Sequence, residues 1–166
     1  MPLRQRLEAV PETVQEFDLA AAQKHQEGAA LVTAGYNGAG IYLLGYSAEM
    51  LLKNVYFRYT GASWADRVGP RLGAAQAAGK IRIPLVPHEG YHSLRFWASL
   101  LRETRRFQRR PLPPLLDAQF VSRTRRLHQN CWIGARYRRD RATGLEAATV
   151  RGDADWLQKN YPILWR

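Results

Sequence analysis

The sequence has little of several features that would narrow its function. It carries one cysteine, Cys131, in 166 residues, so no internal disulfide can form and a reducing compartment is the expected setting. No apolar run reaches the length of a membrane span, because Glu49 and Lys53 interrupt the best candidate. The first residues turn polar before an apolar region of signal-peptide length appears. We therefore expect a soluble, cytoplasmic protein with no membrane partner.

Residue patterns typical of metal and cofactor sites are also missing. Cys131 has no cysteine partner, and no two of the four histidines stand at a spacing typical of zinc sites. A glycine-rich stretch at 35–40 follows a predicted helix rather than a strand. A helix–helix turn therefore explains it better than a phosphate-binding dinucleotide motif. We predict no metal and no cofactor, and we interpret Cys131 as a buried structural residue.

Helical periodicity is strongest in residues 41–59, IYLLGYSAEMLLKNVYFRY, which contain no proline. At 3.6 residues per turn they form one wide apolar stripe, made of Ile41, Leu44, Ala48, Leu51, Leu52, Val55 and Tyr59. A second, amphipathic stripe contains Tyr42, Tyr46, Glu49, Lys53 and Tyr56. Glu49 and Lys53 stand four residues apart, in the order that favours pairing along a helix. We expect this helix to lie at the centre of a bundle, covered on both sides.

Strand signals are almost absent elsewhere in the chain, and helical patterns dominate. Besides the central helix, four stretches are predicted to be helical: 13–34, 91–107, a fourth that opens after the break made by the prolines at 111–114 and ends near 134–137, and a polar last helix at 145–159. The segment 61–90 is rich in glycine and proline, with at most a short helix at 72–78 and an extended strap at 81–86. Residues 161–165 are expected to form an apolar C-terminal tail.

These elements predict one all-α domain over residues 1–166, with its core at about 13–160. The expected architecture is an up-and-down four-helix bundle with short extra helices and a long irregular connection after the second helix. In the third helix the periodicity turns Leu94, Trp97 and Leu101 inward. It turns four arginines outward: Arg95, Arg102, Arg105 and Arg106.

Arginine is the most informative component of the composition. The formal net charge is +11, and twelve arginines between Arg102 and Arg141 stand against only three acidic residues in that stretch. These arginines are 102, 105, 106, 109, 110, 123, 125, 126, 136, 138, 139 and 141. Such a block predicts an anionic partner, most often a nucleic acid. A solvated charged face or an acidic protein partner is the alternative.

Three pieces of the sequence, in order, resemble the HEPN superfamily (higher eukaryotes and prokaryotes nucleotide-binding domains). Residues 39–53, AGIYLLGYSAEMLLK, are similar to that family's helix with Gly-Tyr, Glu and Leu-Lys. His92-Ser93-Leu94 is similar to its His-x-Leu helix start, with Ser93 in place of the usual Asp. Arg136-Tyr137, after Trp132, is similar to the Arg-Tyr that closes its fourth helix. The resemblance covers roughly residues 13–160.

The resemblance implies a small helical bundle that forms homodimers and binds RNA or a nucleotide. Many members accompany a minimal nucleotidyltransferase in toxin–antitoxin pairs. Others are metal-independent endoribonucleases with an Arg-x(4–6)-His motif, in which histidine moves a proton and arginine stabilises phosphate charge. Arg123 and His128 match this spacing, as do Arg82 and His88. Neither arginine is followed by the polar residue usual in that motif, and a structural role for His128 is the alternative.

The resulting prediction is RNA or nucleotide binding through the arginine-rich third and fourth helices. The candidate catalytic pair is Arg123 and His128. The candidate nucleic-acid or nucleotide-binding residues are Arg102, Arg105, Arg106, Arg125, Arg126, Arg136, Lys53, Glu49 and Tyr137. Three functions remain open: a binding domain that works with a nucleotidyltransferase, a metal-independent endoribonuclease, and a non-catalytic protein-interaction module.

Overall fold

A computed structural model describes residues 12–84, 92–131 and 141–166, together with residues 2, 5 and 10. This part of the chain contains six helices: α1 (Val14–Thr33), α2 (Asn37–Tyr59), α3 (Val68–Arg82), α4 (Leu94–Phe107), α5 (Pro114–Asn130) and α6 (Gly144–Leu164). The same residues contain no strand, and one isolated antiparallel bridge joins Thr13 to Arg67. The predicted all-α class is confirmed. The specific four-helix arrangement implied by the HEPN resemblance stays a prediction.

Helix α2 is the central element, as its two-sided pattern predicted. It packs against α1, α4, α5 and α6, and every residue from 47 to 57 is buried. Leu44, Leu51 and Leu52 are at most 1% exposed. Burying each of these side chains contributes about 1.5–3 kcal/mol, which explains why the other helices assemble around this one.

The glycine-rich stretch was predicted to be a break between helices, and this is wrong for most of it. The turn occupies residues 34–36, where Gly35 has a φ of 85°, and α2 begins at Asn37. Gly40 lies inside α2, against α1. A Cβ atom at this position would come within 2.5 Å of Val32 Cγ2 and 2.9 Å of the Gly28 carbonyl oxygen. The glycines therefore let the two helices approach closely, as small residues do at helix crossings.

The segment after α2 was predicted to be largely irregular, and this is also wrong. Helix α3 spans fifteen residues, Val68–Arg82, so it is about twice as long as the expected helix at 72–78. Its buried positions are Val68, Ala75 and Gly79. Because alanine and glycine carry little hydrophobic signal, this buried face has no clear periodicity in the sequence. Of the predicted strap at 81–86, residues 81–82 belong to α3, residues 83–84 follow it, and residues 85–86 lie outside the described part of the chain.

The last helix is longer and less polar than expected. Helix α6 continues through Pro162 to Leu164, so the predicted apolar tail is mostly helical. It starts with a capping box between Thr143 and Glu146, which satisfies amide groups at its first turn. It packs along α2 and buries Ala147, Val150, Asp153, Ala154, Leu157 and Leu164. The helix was expected at 145–159, but the small buried residues Ala147 and Ala154 give its core-facing side little hydrophobic signal.

Helices α4 and α5 run past one another beside α2. Trp97 of α4 is fully buried and packs on α2, with its ring centroid 5.9 Å from that of Phe57. Ser93 caps the start of α4 by accepting a hydrogen bond from the Phe96 amide. Helix α5 buries Phe120, Thr124 and Leu127, which ties it to the same core. On the side of α4 and α5 that does not face the core, residues of both helices line a shared surface.

Candidate functional site

A groove of about 410 Å³ lies between α4 and α5. Nine residues line it: Arg95, Ala98, Ser99, Arg102, Val121, Thr124, Arg125, His128 and Gln129. Arg95 and Arg102 are seven residues apart on α4, so two turns of helix place them on one face. Arg125 and His128 are three residues apart on α5 and likewise share a face. The pattern of arginines along both helices thus converges on one concave surface.

The charges in this groove are only partly compensated. Arg102 forms a bidentate pair with Asp117, with its Nε 2.6 Å from Oδ1 and its Nη2 2.7 Å from Oδ2. This pairing raises the pKa of the Arg102 guanidinium and lowers the pKa of the Asp117 carboxyl. Arg95, Arg125 and His128 form no ion pair with any residue that the structure describes. The groove therefore carries net positive charge at neutral pH.

The candidate catalytic residues Arg123 and His128 are not brought together in this chain. Arg123 faces α6, where its Nη1 lies 2.9 Å from Oδ1 of Asp153, and it does not line the groove that contains His128. Five residues of α-helix rotate a side chain by about 140° from the starting direction, which explains the separation. Their joint catalytic role stays a prediction, since it requires Arg123 to leave Asp153.

Asp153 organises the arginines on the α6 side of α5. Asp153 is 2% exposed, and its carboxylate also accepts two hydrogen bonds from Arg126, at 2.8 Å from Nε and 2.6 Å from Nη2. Both Arg123 and Arg126 were candidate site residues. Because a buried carboxylate needs compensating charge, this triad is explained by the packing of α5 on α6.

The predicted outward orientation of Arg105 is wrong. This residue is 7% exposed, and its Nη1 donates a hydrogen bond of 3.1 Å to the Leu164 carbonyl at the end of α6. Its guanidinium also lies 4.6 Å from the Tyr59 ring centroid. Burial lowers the pKa of Arg105. Arg106 does face solvent, where it pairs with Glu103 at 2.7 Å. Helical periodicity alone missed Arg105 because a long side chain can reach a neighbouring helix end.

A second cluster of charges lies at the interface of α2 and α4. The predicted pair of Glu49 and Lys53 is confirmed, with Nζ 2.5 Å from Oε1, but both side chains are only 5% exposed. His92 contacts the cluster on its solvent side: its Nδ1 is 3.0 Å from Glu49 Oε1, and its side chain is 53% exposed. Neither Glu49 nor Lys53 offers an unpaired charge to a ligand. The contact with His92 was not foreseen, although both residues belong to the motifs that carry the HEPN resemblance.

Several sequence candidates lie outside the described residues, namely Arg136, Tyr137, Trp132 and His88. Arg82, the first residue of the second Arg-x(5)-His match, ends α3, and its guanidinium lies 4.7 Å from the Phe107 ring centroid.

Cys131 was expected to be buried, and as a residue it is partly buried and packs against the core. Burial raises the pKa of its thiol to about 12, so the reactive thiolate is not populated at neutral pH. A Cβ atom added at Gly45 would lie 2.4 Å from the Cys131 Cβ, which shows how closely α2 approaches this residue. Among the described residues, no three His, Cys, Asp or Glu side chains are grouped as a metal site would require.

Wider comparisons add no further assignment. Comparing the chain with models of protein families, with curated proteins and with solved structures gives no match. No helix in residues 12–84, 92–131 and 141–166 combines the length and apolar character needed to cross a membrane. The contacts and charges of the described residues, those of the groove first, are what indicate a function.

Proposed function

We propose that this protein is a HEPN-like helical domain that binds RNA or a nucleotide, with phosphate groups held in the groove between α4 and α5. One observation carries the proposal. Arg95, Arg125 and His128 converge on this groove with no acidic partner among the described residues. Guanidinium groups bind phosphate through paired hydrogen bonds, and a concave surface of one charge sign attracts anions.

The remaining side chains define how a phosphate is held. The Thr124 hydroxyl donates to the Phe120 carbonyl at 2.7 Å, so its proton is already used within α5. The donors that line the groove include the guanidinium groups of Arg95 and Arg125 and the amide of Gln129, together with the Ser99 hydroxyl and the His128 imidazole. Arg102 is held by Asp117, which places a carboxylate beside the groove and disfavours a phosphate there. The strongest attraction is therefore at the Arg95–Arg125 end.

The experiment is a measurement of RNA affinity against salt concentration for the parent, Arg125→Gln and Arg67→Gln. Arg67 is a matched control because it is exposed, forms no ion pair with a described residue and lies at the start of α3. Loss of one phosphate contact reduces the slope of log affinity against log salt by about 1. Arg125→Gln is expected to show this reduction and Arg67→Gln to behave as the parent. If both substitutions change the salt slope equally, the proposal that RNA phosphates bind specifically in this groove is refuted.

The family resemblance adds proposals about partners. We propose a homodimer that acts with a nucleotidyltransferase in a toxin–antitoxin type system. Analytical ultracentrifugation tests the dimer, and co-purification with a nucleotidyltransferase encoded beside it tests the partner. If the domain is instead a non-catalytic module that binds an acidic protein, binding of that protein will also depend on salt. RNA will then not compete with the protein partner.

The endoribonuclease alternative has less support, because Arg123 is bound to Asp153. This hypothesis predicts that the parent protein cleaves RNA in the presence of a chelator that removes metal ions. It also predicts that His128→Ala does not cleave RNA. Intact RNA with both proteins would exclude this activity while leaving the binding proposal untouched.

A further inference from the structure

The turn that ends α4 holds an arginine in a backbone conformation that favours glycine. Arg109 has a φ of 57°, in the left-handed region. Its amide donates to the Arg106 carbonyl at 3.0 Å, and the Arg110 amide donates to the Arg105 carbonyl at 2.9 Å. These two hydrogen bonds form a Schellman motif, with Arg109 in the position after the C-cap where glycine is strongly enriched.

The side chain of Arg109 does not compensate this backbone cost within the fold. It is exposed and forms no ion pair with any described residue, and it packs on no aromatic ring among them. Asn and Asp tolerate the left-handed region through local hydrogen bonds, but arginine has no such advantage. A residue kept in an unfavourable conformation without a structural contact points to a use for its side chain in binding.

This turn follows the Arg102 end of the groove along the chain. Arg95 and Arg102 are two helical turns apart on α4, and Arg109 follows Arg102 by another seven residues. At a rise of 1.5 Å per residue, the distance from Arg95 to the turn is about 20 Å. Arg106, the other exposed arginine at this end, is already paired with Glu103. Arg109 and Arg110 are thus the available cations beyond the Arg102–Asp117 pair.

We infer that Arg109 is a second phosphate contact, and that the ligand of the groove is therefore a nucleic-acid strand rather than a single nucleotide. Two basic ends, Arg95 with Arg125 and Arg109 with Arg110, lie about 20 Å apart, with the compensated Arg102–Asp117 pair between them, and this length matches roughly six phosphates along one strand of a helical nucleic acid, at 3.4 Å each. A mononucleotide in the groove cannot reach the turn. This inference rests on the proposed function of the groove.

The test compares the parent with Arg109→Gly and Arg109→Lys, using a trinucleotide and a ten-nucleotide RNA as ligands. Arg109→Gly is expected to raise the melting temperature by about 2–4 °C, because glycine relieves the left-handed strain. It should bind the trinucleotide as the parent does, bind the ten-nucleotide RNA several-fold more weakly, and lose about 1 unit of salt slope. Arg109→Lys keeps the charge and should retain most of the affinity for the longer RNA.

Three results would overturn the inference: equal affinity of Arg109→Gly and the parent for the longer RNA, equal affinity of the parent for both lengths, or a lowered melting temperature in Arg109→Gly. Arg125→Gln, measured with both ligands, separates this outcome from a failure of the groove itself. If Arg125→Gln weakens trinucleotide binding while Arg109→Gly changes nothing, only the second contact is refuted. If neither RNA binds the parent, the proposed function fails and the inference with it.

Discussion

The Nδ1 atom of His92 lies 3.0 Å from the Oε1 atom of Glu49, which joins the start of α4 to the middle of α2. Glu49 is also paired with Lys53. The buried carboxylate therefore contacts one cation on its own helix and one imidazole from the residues that precede α4. The side chain of His92 is 53% exposed, whereas that of Glu49 is 5% exposed, so this contact matters first for stability.

Removing Glu49 should be far more damaging than removing His92. In Glu49→Gln the Lys53 ammonium stays buried without a counter-charge, and breaking such a pair costs about 3–5 kcal/mol. His92→Ala removes a half-exposed partner and should cost about 1 kcal/mol or less. Urea unfolding monitored by circular dichroism measures both. Equal losses would mean that the Glu49–Lys53 pair is not effectively buried in solution.

Asp153 should be energetically coupled to both of its arginines. Asp153→Asn is expected to lower the free energy of unfolding by about 1.5–3 kcal/mol, since charge-assisted hydrogen bonds from Arg123 and Arg126 are lost. Arg123→Gln or Arg126→Gln alone should cost less, because the other arginine still compensates the carboxylate. A double-mutant cycle in urea gives the coupling. Additive effects would show that the triad does not act as a unit.

The close approach of α1 and α2 predicts opposite effects for two glycine substitutions. Gly40→Ala places a Cβ atom 2.5 Å from Val32 Cγ2 and against the α1 backbone, so it should destabilise the fold by about 1–3 kcal/mol. Gly73→Ala, in α3, meets nothing within 4 Å and should stabilise it by about 0.5–1 kcal/mol. Thermal melts of the two variants provide the comparison. A stabilising Gly40→Ala would contradict the described helix packing.

Two aspartates should affect the pH dependence of stability in opposite directions. Hydrogen bonds from Ser63 and Arg71 lower the pKa of Asp66 from 3.8 to about 2, so its contribution is present above pH 4 and is lost as the pH falls toward 2. Burial raises the pKa of Asp18, so its contribution is present at low pH and is lost as the pH rises through the folded value. Stability is measured from pH 2 to 7 for the parent, Asp66→Asn and Asp18→Asn. Asp66→Asn should flatten the acid loss and Asp18→Asn should steepen it; parallel curves would contradict both assignments.

The sequence was sufficient for the helical class and for the central helix, because large apolar residues recur there at helical spacing. It was insufficient for the length of α3 and for the buried face of α6, because small residues occupy part of both faces: Ala75 and Gly79 in α3, and Ala147 and Ala154 in α6. Such small residues carry weak hydrophobicity, so their periodicity is close to that of a loop. The short spacing of Glu49 and Lys53 identified their pair, but only the packing of α4 showed that it is buried.

For the arginine-rich region of α4 and α5, too, some properties follow from the sequence and others only from the tertiary structure. The chain alone determined that α4 and α5 carry a surplus of positive charge and that Arg95 and Arg102 share a face, because charge and helical period are local properties. Only the tertiary structure decided which of these arginines remain available. Arg105 is bound at the end of α6, Arg123 and Arg126 are bound to Asp153, and Arg125 faces an open groove. The reason is physical: a guanidinium is free or neutralised according to the acids and carbonyls that distant helices bring to it, and no local spacing encodes those partners.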